Sequence, residues 1–341
     1  MPCVAGESRA RASSAAHVLI VNQQEVTQAL TMRRAIGVMR ETLVALEQGQ
    51  AIQPLRMMMK LPADGAAFWI MPSYAGAPAT LGVKVLTAFS GNAGTPYHTH
   101  QGAVLVFGDH GELLAVVDAT SMTAIRTAAV SAVATDALAR ADSHVLAILG
   151  SGAQATSHVE AMTAVRQISD VRVWSRTAAN AERFARDVAA RHRIAVVACA
   201  SVEEAVREAD IVCTTTAAHA PILEGAWLRP GTHVNSVGSG SATDREVDGA
   251  TVRMARVFVD RMESAMREAG DLLLAIEEGA VGAADFAGEL GAVLAGHVIG
   301  RRTAGEITLF NSVGLGAEDV AAARATYDEC VRLGLGREVA F

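Results

Sequence analysis

An apolar run, Val145–Leu149, leads through Gly150-Ser151-Gly152-Ala153-Gln154-Ala155 into a helical pattern that continues to Val165. A G-x-G-x-x-A loop means little alone, but between a buried strand and a helix start it has a physical reading. Gly150 permits the tight turn, and Gly152 lets backbone approach a diphosphate. The first helical turn then offers unpaired N–H groups and the positive end of its dipole. The bland alternative is a glycine-rich turn with no ligand. The continuation of the chain argues against it, because strands and helices go on alternating. Val171–Trp174 is strand-like, Ala178–Ala190 helical and Ile194–Cys199 strand-like. Ser201 with Glu204 then forms a capping-box start to another helix. Ile211–Thr214, His233–Val237 and Val257–Val259 complete the strands. Such alternation predicts βαβ units on a parallel sheet, an α/β fold of the Rossmann dinucleotide-binding kind.

The end of the second strand bears on which dinucleotide is bound. An Asp or Glu there holds the ribose 2′-hydroxyl of NAD, whereas Val171-Arg172-Val173-Trp174 is followed by Ser175-Arg176-Thr177. A carboxylate would repel a 2′-phosphate, and a guanidinium flanked by two hydroxyls would bind it. The expectation is NADPH, with NADH less favoured. The structural alternative is that Arg176 is solvated or stacks on adenine.

With 341 residues there is material for about two domains. Residues 1–16, rich in Arg, Ser and Ala and without an apolar stretch, read as a disordered lead rather than a secretory signal. The first half then offers a strand at His17–Val21 and a helix over Thr31–Gln48. Strand candidates follow at Leu55–Leu61, Ala67–Met71, Ala79–Phe89, Ala103–Phe107 and Leu113–Val117. Asp64-Gly65, Gly91-Asn92-Ala93-Gly94 and Gly108-Asp109-His110-Gly111 supply turns. This predicts a mostly β block with mixed or antiparallel pairing. A long Ala-rich helix, Ser121–Arg140, leaves it, and Glu318–Leu333 is helical near the end. The net charge of −7 gives no reason to expect nucleic acid or an anionic membrane as partner. No apolar run reaches the roughly 18 residues of a membrane span. Cys3, Cys199, Cys213 and Cys330 show no metal or redox spacing. Cys199 and Cys213 sit in apolar runs, so buried reduced thiols and a cytoplasmic setting are expected.

Three cations stand in apolar surroundings: Arg56 before Met57-Met58-Met59, Lys84 in Gly82-Val83-Lys84-Val85, and Arg126 in Ala124-Ile125-Arg126-Thr127-Ala128. Such groups are rarely buried without an anionic partner. Taken singly, each reads as a snorkelling chain or a structural ion pair. Taken together, they suit a substrate carboxylate.

Those segments, with Thr99-His100-Gln101, Thr127-Ala128-Ala129-Val130-Ser131, Ile148 to Gln154, Val173 to Thr177, Pro221-Ile222-Leu223, Pro230 to Gly238 and Ser312-Val313-Gly314, form an ordered series. From about residue 17 onward the series resembles the ornithine cyclodeaminase/mu-crystallin family, most of all its ketimine reductase branch. The resemblance implies a homodimer. It also implies a Rossmann domain, 129–307, inserted in a mixed α/β substrate-binding and dimerisation domain, 17–128 plus 308–341. By the same likeness Arg56, Lys84 and Arg126 hold the substrate carboxylate, with His100 near the imine. Arg126, Thr127, Gly150, Gly152, Ala153, Gln154, Ser175, Arg176, Thr177, Thr215, Val237 and Ser312 contact the cofactor.

Cyclodeaminases of this family place an Asp two residues after the Gly of an Asn-Ala-Val-Gly motif. Here the motif is Asn235-Ser236-Val237-Gly238 and the matching position is Gly240, which has no acid–base group. Asp244 and Glu246 lie nearby, and Asp244 reads as the cap of the next helix. The expectation is therefore NADPH-dependent reduction of a cyclic imino acid, Δ1-pyrroline-2-carboxylate or Δ1-piperideine-2-carboxylate, with Lys84 as the catalytic proton donor. Ornithine cyclodeamination, reductive amination of the alanine dehydrogenase type and non-catalytic ligand binding are the alternatives. His98 and His100 alternate on a strand without an obvious third ligand, so no metal is expected.

Overall fold

The computed structural model describes residues 17–62, 65–76, 79–92, 95–238 and 240–341. The expected disordered lead 1–16, Cys3, and the turn residues Asp64, Ala93 and Gly94 lie outside them. The chain begins with β1 (His17–Val21), α1 (Gln23–Ala29), α2 (Met32–Glu47), β2 (Met57–Lys60), β3 (Ala66–Gly76), β4 (Ala79–Phe89), β5 (His100–Phe107), β6 (Leu113–Asp118) and α3 (Ala119–Leu138). The alternating stretch follows: β7 (Val145–Leu149), α4 (Ala153–Val165), β8 (Asp170–Trp174), α5 (Ala178–His192), β9 (Ala195–Ala198), α6 (Val202–Val206), β10 (Ile211–Thr214), β11 (His233–Ser236), α7 (Gly249–Met254) and β12 (Ala255–Val259). The remainder is α8 (Met262–Glu268), α9 (Gly270–Glu277), β13 (Gly288–Glu289), α10 (Leu290–Leu294), β14 (Ile307–Asn311), α11 (Gly316–Leu333) and β15 (Arg337–Ala340).

The first block builds a seven-stranded sheet, β15-β1-β6-β5-β4-β3-β2, antiparallel except where β1 runs parallel to β6. Its inner strands β3 to β6 are half-buried, because one face packs on α3 and α11, whereas the edge strands β2 and β15 are exposed. On β4 that inward face carries Thr80, Gly82, Lys84, Leu86 and Ala88. The strand's two-residue period thus puts Lys84 inside. α2 closes the same core with Met39, Leu43 and Leu46 at helical spacing.

The second block is an eight-stranded parallel sheet in the order β13-β12-β14-β11-β10-β7-β8-β9. Every residue of β7 is buried, as a strand covered on both faces requires. Strand order reverses between β7 and β10, where diverging connections open a crevice at the carboxyl ends. α3 joins the blocks and is buried all round from Arg126 to Thr135, so its Ala-rich sequence serves close packing rather than amphipathicity.

Several boundaries differ from expectation. α3 starts at Ala119, because the Asp118 side chain accepts from Ser121 N at 3.0 Å. Ile307–Asn311 is a sheet strand between β11 and β12, and the expected 307/308 division falls at its start. The cap of α7 is Asp248, whose carboxylate accepts from Thr251 N at 2.7 Å. Asp244 does not take that role; it bonds His219 and Ser241 in the preceding loop. α1, α8, α9, α10 and β15 were not anticipated; most are too short for a period to show.

Candidate active site

The first wall of the site is the glycine loop. Gly150 has φ +124°, and a β-carbon there would stand 2.7 Å from Thr215 Oγ1 and 2.8 Å from its carbonyl oxygen. Only glycine lets β7 turn this close to the end of β10. Gly152 begins α4 with no side-chain cap, and a β-carbon on it would meet nothing within 4 Å. The first-turn amides of α4 thus face an open space instead of a protein acceptor. A cavity of about 330 Å³ lies against them, with Ser175, Arg176, Thr177 and Asn180 on its other side. Ser151 and Ser175 bridge its floor through a 2.9 Å hydroxyl contact. Arg176 is exposed and pairs with no carboxylate among the described residues.

A second cavity of about 550 Å³ shares Gly152, Thr215, Thr216 and Ala217 with the first, so the two form one cleft. Lys84, His100, Thr123, Ala153, Gln154, Val237 and Gly238 line this deeper part. An uncapped helix start, a glycine cradle and an elongated cleft fit a dinucleotide whose far end meets Lys84. Buried Gln154 Oε1 has no hydrogen-bond partner within the protein, so its acceptor is free for a ligand. His100 stacks on Trp69 with ring centroids 6.0 Å apart and 22° between planes. Gly240 faces open space, with nothing within 4 Å of a β-carbon built there.

Lys84 is 2 % exposed yet reaches the cleft. Its Nζ donates to Thr123 Oγ1 at 2.8 Å and to Asp319 Oδ1 at 3.0 Å, leaving the third N–H of the ammonium unspent. Burial pulls its pKa down to about 8; Asp319 resists this, and Arg126 and Arg56 reinforce it. Arg126 donates from Nε to Asp319 Oδ1 at 2.8 Å and from Nη1 to Glu318 Oε2 at 3.0 Å. Arg56 pairs with Glu268 and donates to the carbonyl of Val313 at 2.6 Å. Burial pushes the Glu318 carboxyl up from its ordinary value, against the pull of Arg126. Asp319 is held below its ordinary value because Arg126 and Lys84 together outweigh its burial.

The structure therefore brings the three cations together: Lys84 and Arg126 share Asp319, Arg126 also reaches Glu318, and Arg56 pairs with Glu268. Lys84 and His100 line the cleft, whereas Arg56, Arg126, Thr127 and Ser312 are absent from its walls. Thr127 is buried in α3, and Ser312 Oγ contacts Asp260 Oδ2 at 3.3 Å. Sequence reasoning missed Glu318, Asp319, Glu268 and Thr123. The signal for the first two was present, since Glu318-Asp319 is a charged pair in a small-residue helix. Their partners, however, lie 192 to 235 residues away.

Comparison with known proteins agrees with this geometry. The profile of the ornithine cyclodeaminase/mu-crystallin family matches residues 17–333. The ketimine reductase mu-crystallin of Mus musculus is 41% identical over 281 residues, covering 82% of this chain and 86% of that protein. The structure of Thermococcus litoralis Δ1-pyrroline-2-carboxylate reductase in complex with NADH and L-proline superposes with a TM-score of 0.92 at 33% identity, covering 94% of this chain and all of that one (100%). An archaeal alanine dehydrogenase dimer with bound NAD superposes with a TM-score of 0.90 at 29% identity, covering 96% of this chain and 100% of that one.

Proposed function

This chain belongs to the ornithine cyclodeaminase/mu-crystallin family, and from that premise we propose that it is a nicotinamide-dependent oxidoreductase reducing a cyclic ketimine carboxylate. The substrates are Δ1-pyrroline-2-carboxylate or Δ1-piperideine-2-carboxylate, and the products L-proline or L-pipecolate. The observation that carries this reading is the Lys84 ammonium, buried at the inner end of a dinucleotide-shaped cleft with one N–H free.

The α4 amides hold the diphosphate, and Gly150 and Gly152 let it approach. Unpaired Arg176, with Ser175 and Thr177, takes a ribose 2′-phosphate and so favours NADPH over NADH. Ala153, Gln154, Thr215 and Val237 line the path inward. When bound, the reduced nicotinamide supplies hydride to the imine carbon. Lys84 holds the substrate in place and gives its proton to the imine nitrogen, and a pKa of about 8 makes that transfer inexpensive near neutrality. Asp319 keeps the ammonium aimed into the cleft. Arg126 and Arg56 add positive potential behind Lys84 for the substrate carboxylate, and His100 on Trp69 walls the ring. Arg126, Thr127 and Ser312, which the family likeness assigns to the cofactor, stand off the cleft walls and have no direct part in holding it in this reading. No acid–base group stands at Gly240, which weighs against cyclodeamination.

The working molecule in this reading is a homodimer. Its substrate and dimerisation unit is the seven-stranded sheet with α11, and the parallel sheet, β14 included, is its nucleotide unit. No helix among the described residues is long and apolar enough to cross a membrane.

The deciding experiment follows NADPH and NADH loss at about 340 nm with each ketimine acid. Parallel tubes contain ornithine with NAD, and pyruvate with ammonia. Rapid NADPH oxidation by a ketimine alone is the expected result. Ammonia release from ornithine, or faster turnover of pyruvate with ammonia, would replace this reading with cyclodeamination or reductive amination.

A further inference from the structure

Two backbone segments meet at the wall of the cleft: Thr215-Thr216-Ala217 after β10, which lines both halves, and Val237-Gly238 after β11, which lines the deeper half. Backbone ladder bonds reach only their first residues, Thr215 N donating to Leu149 O at 2.8 Å and Val237 N to Thr214 O at 3.2 Å, and Thr216 and Gly238 lie beyond them. What joins them is one fully buried side chain, Glu246, in the loop before α7. Its Oε1 accepts from Thr216 N and from Thr216 Oγ1, both at 2.6 Å. Its Oε2 accepts from Gly238 N at 2.7 Å. The approach is so close that a β-carbon at 238 would stand 2.5 Å from the Glu246 carboxyl carbon and 2.1 Å from Thr216 O. Glu246 is itself anchored from behind, since Asp271 Oδ1 accepts from Glu246 N at 2.7 Å and Val247 N at 3.1 Å. Asp271 Oδ2 accepts from Ser236 Oγ at 2.6 Å and Asn311 Nδ2 at 2.9 Å, which ties the anchor to β11 and β14.

We propose that Glu246 is a positioning residue for the cleft: its carboxylate clamps the loop after β10 to the loop after β11 and holds their shared wall in the shape that takes the dinucleotide. The proposal rests on the reading of this cleft as the NAD(P)H site. Glu246 is absent from the cleft walls, so it acts only through Thr216 and Gly238.

The three donors converge on an ionised carboxylate, and a protonated one gives up an acceptor. Burial pushes Glu246 up to about 7, Thr216 and Thr214 oppose the rise, and Asp271 adds to it. The titratable groups facing it are Asp271 from α9 and Cys213 from β10. Its chain neighbours Arg245 and Asp244 are engaged with Glu278 and His219. Protonation below about 7 therefore loosens the clamp, and dinucleotide affinity falls as the pH falls.

The test is a fluorescence titration of wild type and Glu246→Gln with NADPH, in the absence of substrate, at several pH values from about 6 to about 8. Glu246→Gln replaces one acceptor by a donor, and its Kd is expected to rise about tenfold, the effect of losing a bond to a charged group. In a parallel titration with NADH, which lacks a 2′-phosphate titrating at about 6, wild-type affinity is expected to weaken toward acid pH while that of the variant stays flat. Rescue by a shorter carboxylate is not expected, because Glu246→Asp cannot reach both loops. Should Glu246→Gln fail to fold, Thr216→Val removes the hydroxyl that donates to Glu246 and accepts from Ala218 N at 3.2 Å, leaves the Thr216 N–H bond to Glu246 in place, and is expected to weaken NADPH binding in the same direction. A variant that binds within about twofold of wild type, or keeps its pH dependence, overturns the clamp alone. A wild type that binds neither NADPH nor NADH overturns the reading of the cleft, and the clamp with it.

Discussion

At the scale of single residues, the proposed chemistry centres on a lysine that the fold both buries and supplies with partners. Its two internal acceptors explain why an ammonium survives at 2 % exposure, and its third N–H explains why it is useful there. Lys84→Met is expected to lower ketimine turnover by about 10²- to 10⁴-fold, the range for a lost general acid, with circular dichroism unchanged. In wild type the proton is present below the Lys84 pKa, so turnover falls as pH rises through about 8. Asp319 raises that pKa; Asp319→Asn should therefore shift the alkaline limb of the rate profile to lower pH. The same variant leaves buried cations short of a counter-charge and is expected to cost about 3–5 kcal/mol in urea unfolding. Glu318→Gln keeps an acceptor for Arg126 and Leu315 N and replaces a carboxyl whose charge burial already disfavours, so it should cost less than Asp319→Asn. An equal loss from both would show that Glu318 is ionised. For the cofactor, Arg176→Ala should raise the Kd for NADPH by about 10- to 100-fold with little effect on NADH. Equal effects on both would remove the 2′-phosphate contact.

At the scale of elements, the site depends on where strands stop. β7, β10 and β11 end together, and the loops that leave them supply the glycine cradle, Thr215 and Thr216, and Val237 and Gly238. Gly150→Ala places a side chain at φ +124° and against Thr215, and is expected to cost about 1–3 kcal/mol, seen as a lower Tm and weaker NADPH binding. A binding loss without a Tm change would mean that the turn itself is unstrained. Much of this element was legible in the sequence, because an apolar run, a glycine turn and a helical period are all local. β14 was not. Ile307–Asn311 is only a short apolar run, and its place between β11 and β12 depends on a pairing made after β12 is in place.

At the scale of the whole molecule, the outer strand of the first sheet carries an unusual load. Met57, Met58 and Met59 of β2 are 63 %, 50 % and 54 % exposed, Leu81 of β4 is 49 % exposed, and nearby Ile52 is 62 % exposed. An apolar edge strand of this kind invites pairing with a second copy, as the homodimer reading requires. Light scattering is expected to give a dimer mass for wild type and a monomer mass for Met57→Glu/Met59→Glu. A dimer that survives the double substitution would place the interface elsewhere.

The sequence alone determined the order of βα units, the glycine loop, the Ser175-Arg176-Thr177 end of the second strand and the oddity of three cations in apolar runs. Each is a local pattern, set by backbone period, turn sterics or desolvation within a few residues. The tertiary structure decided where those cations sit and what they pair with. It placed Lys84 at the cleft and set Arg56 and Arg126 behind it. It supplied Glu268, Glu318 and Asp319 from far along the chain, and it closed the cleft wall with Glu246. Buried charges must find partners, but no local rule says which ones. Only the packing of α11 against β4 and α3 brings opposite charges 193 and 235 residues apart to within a hydrogen bond.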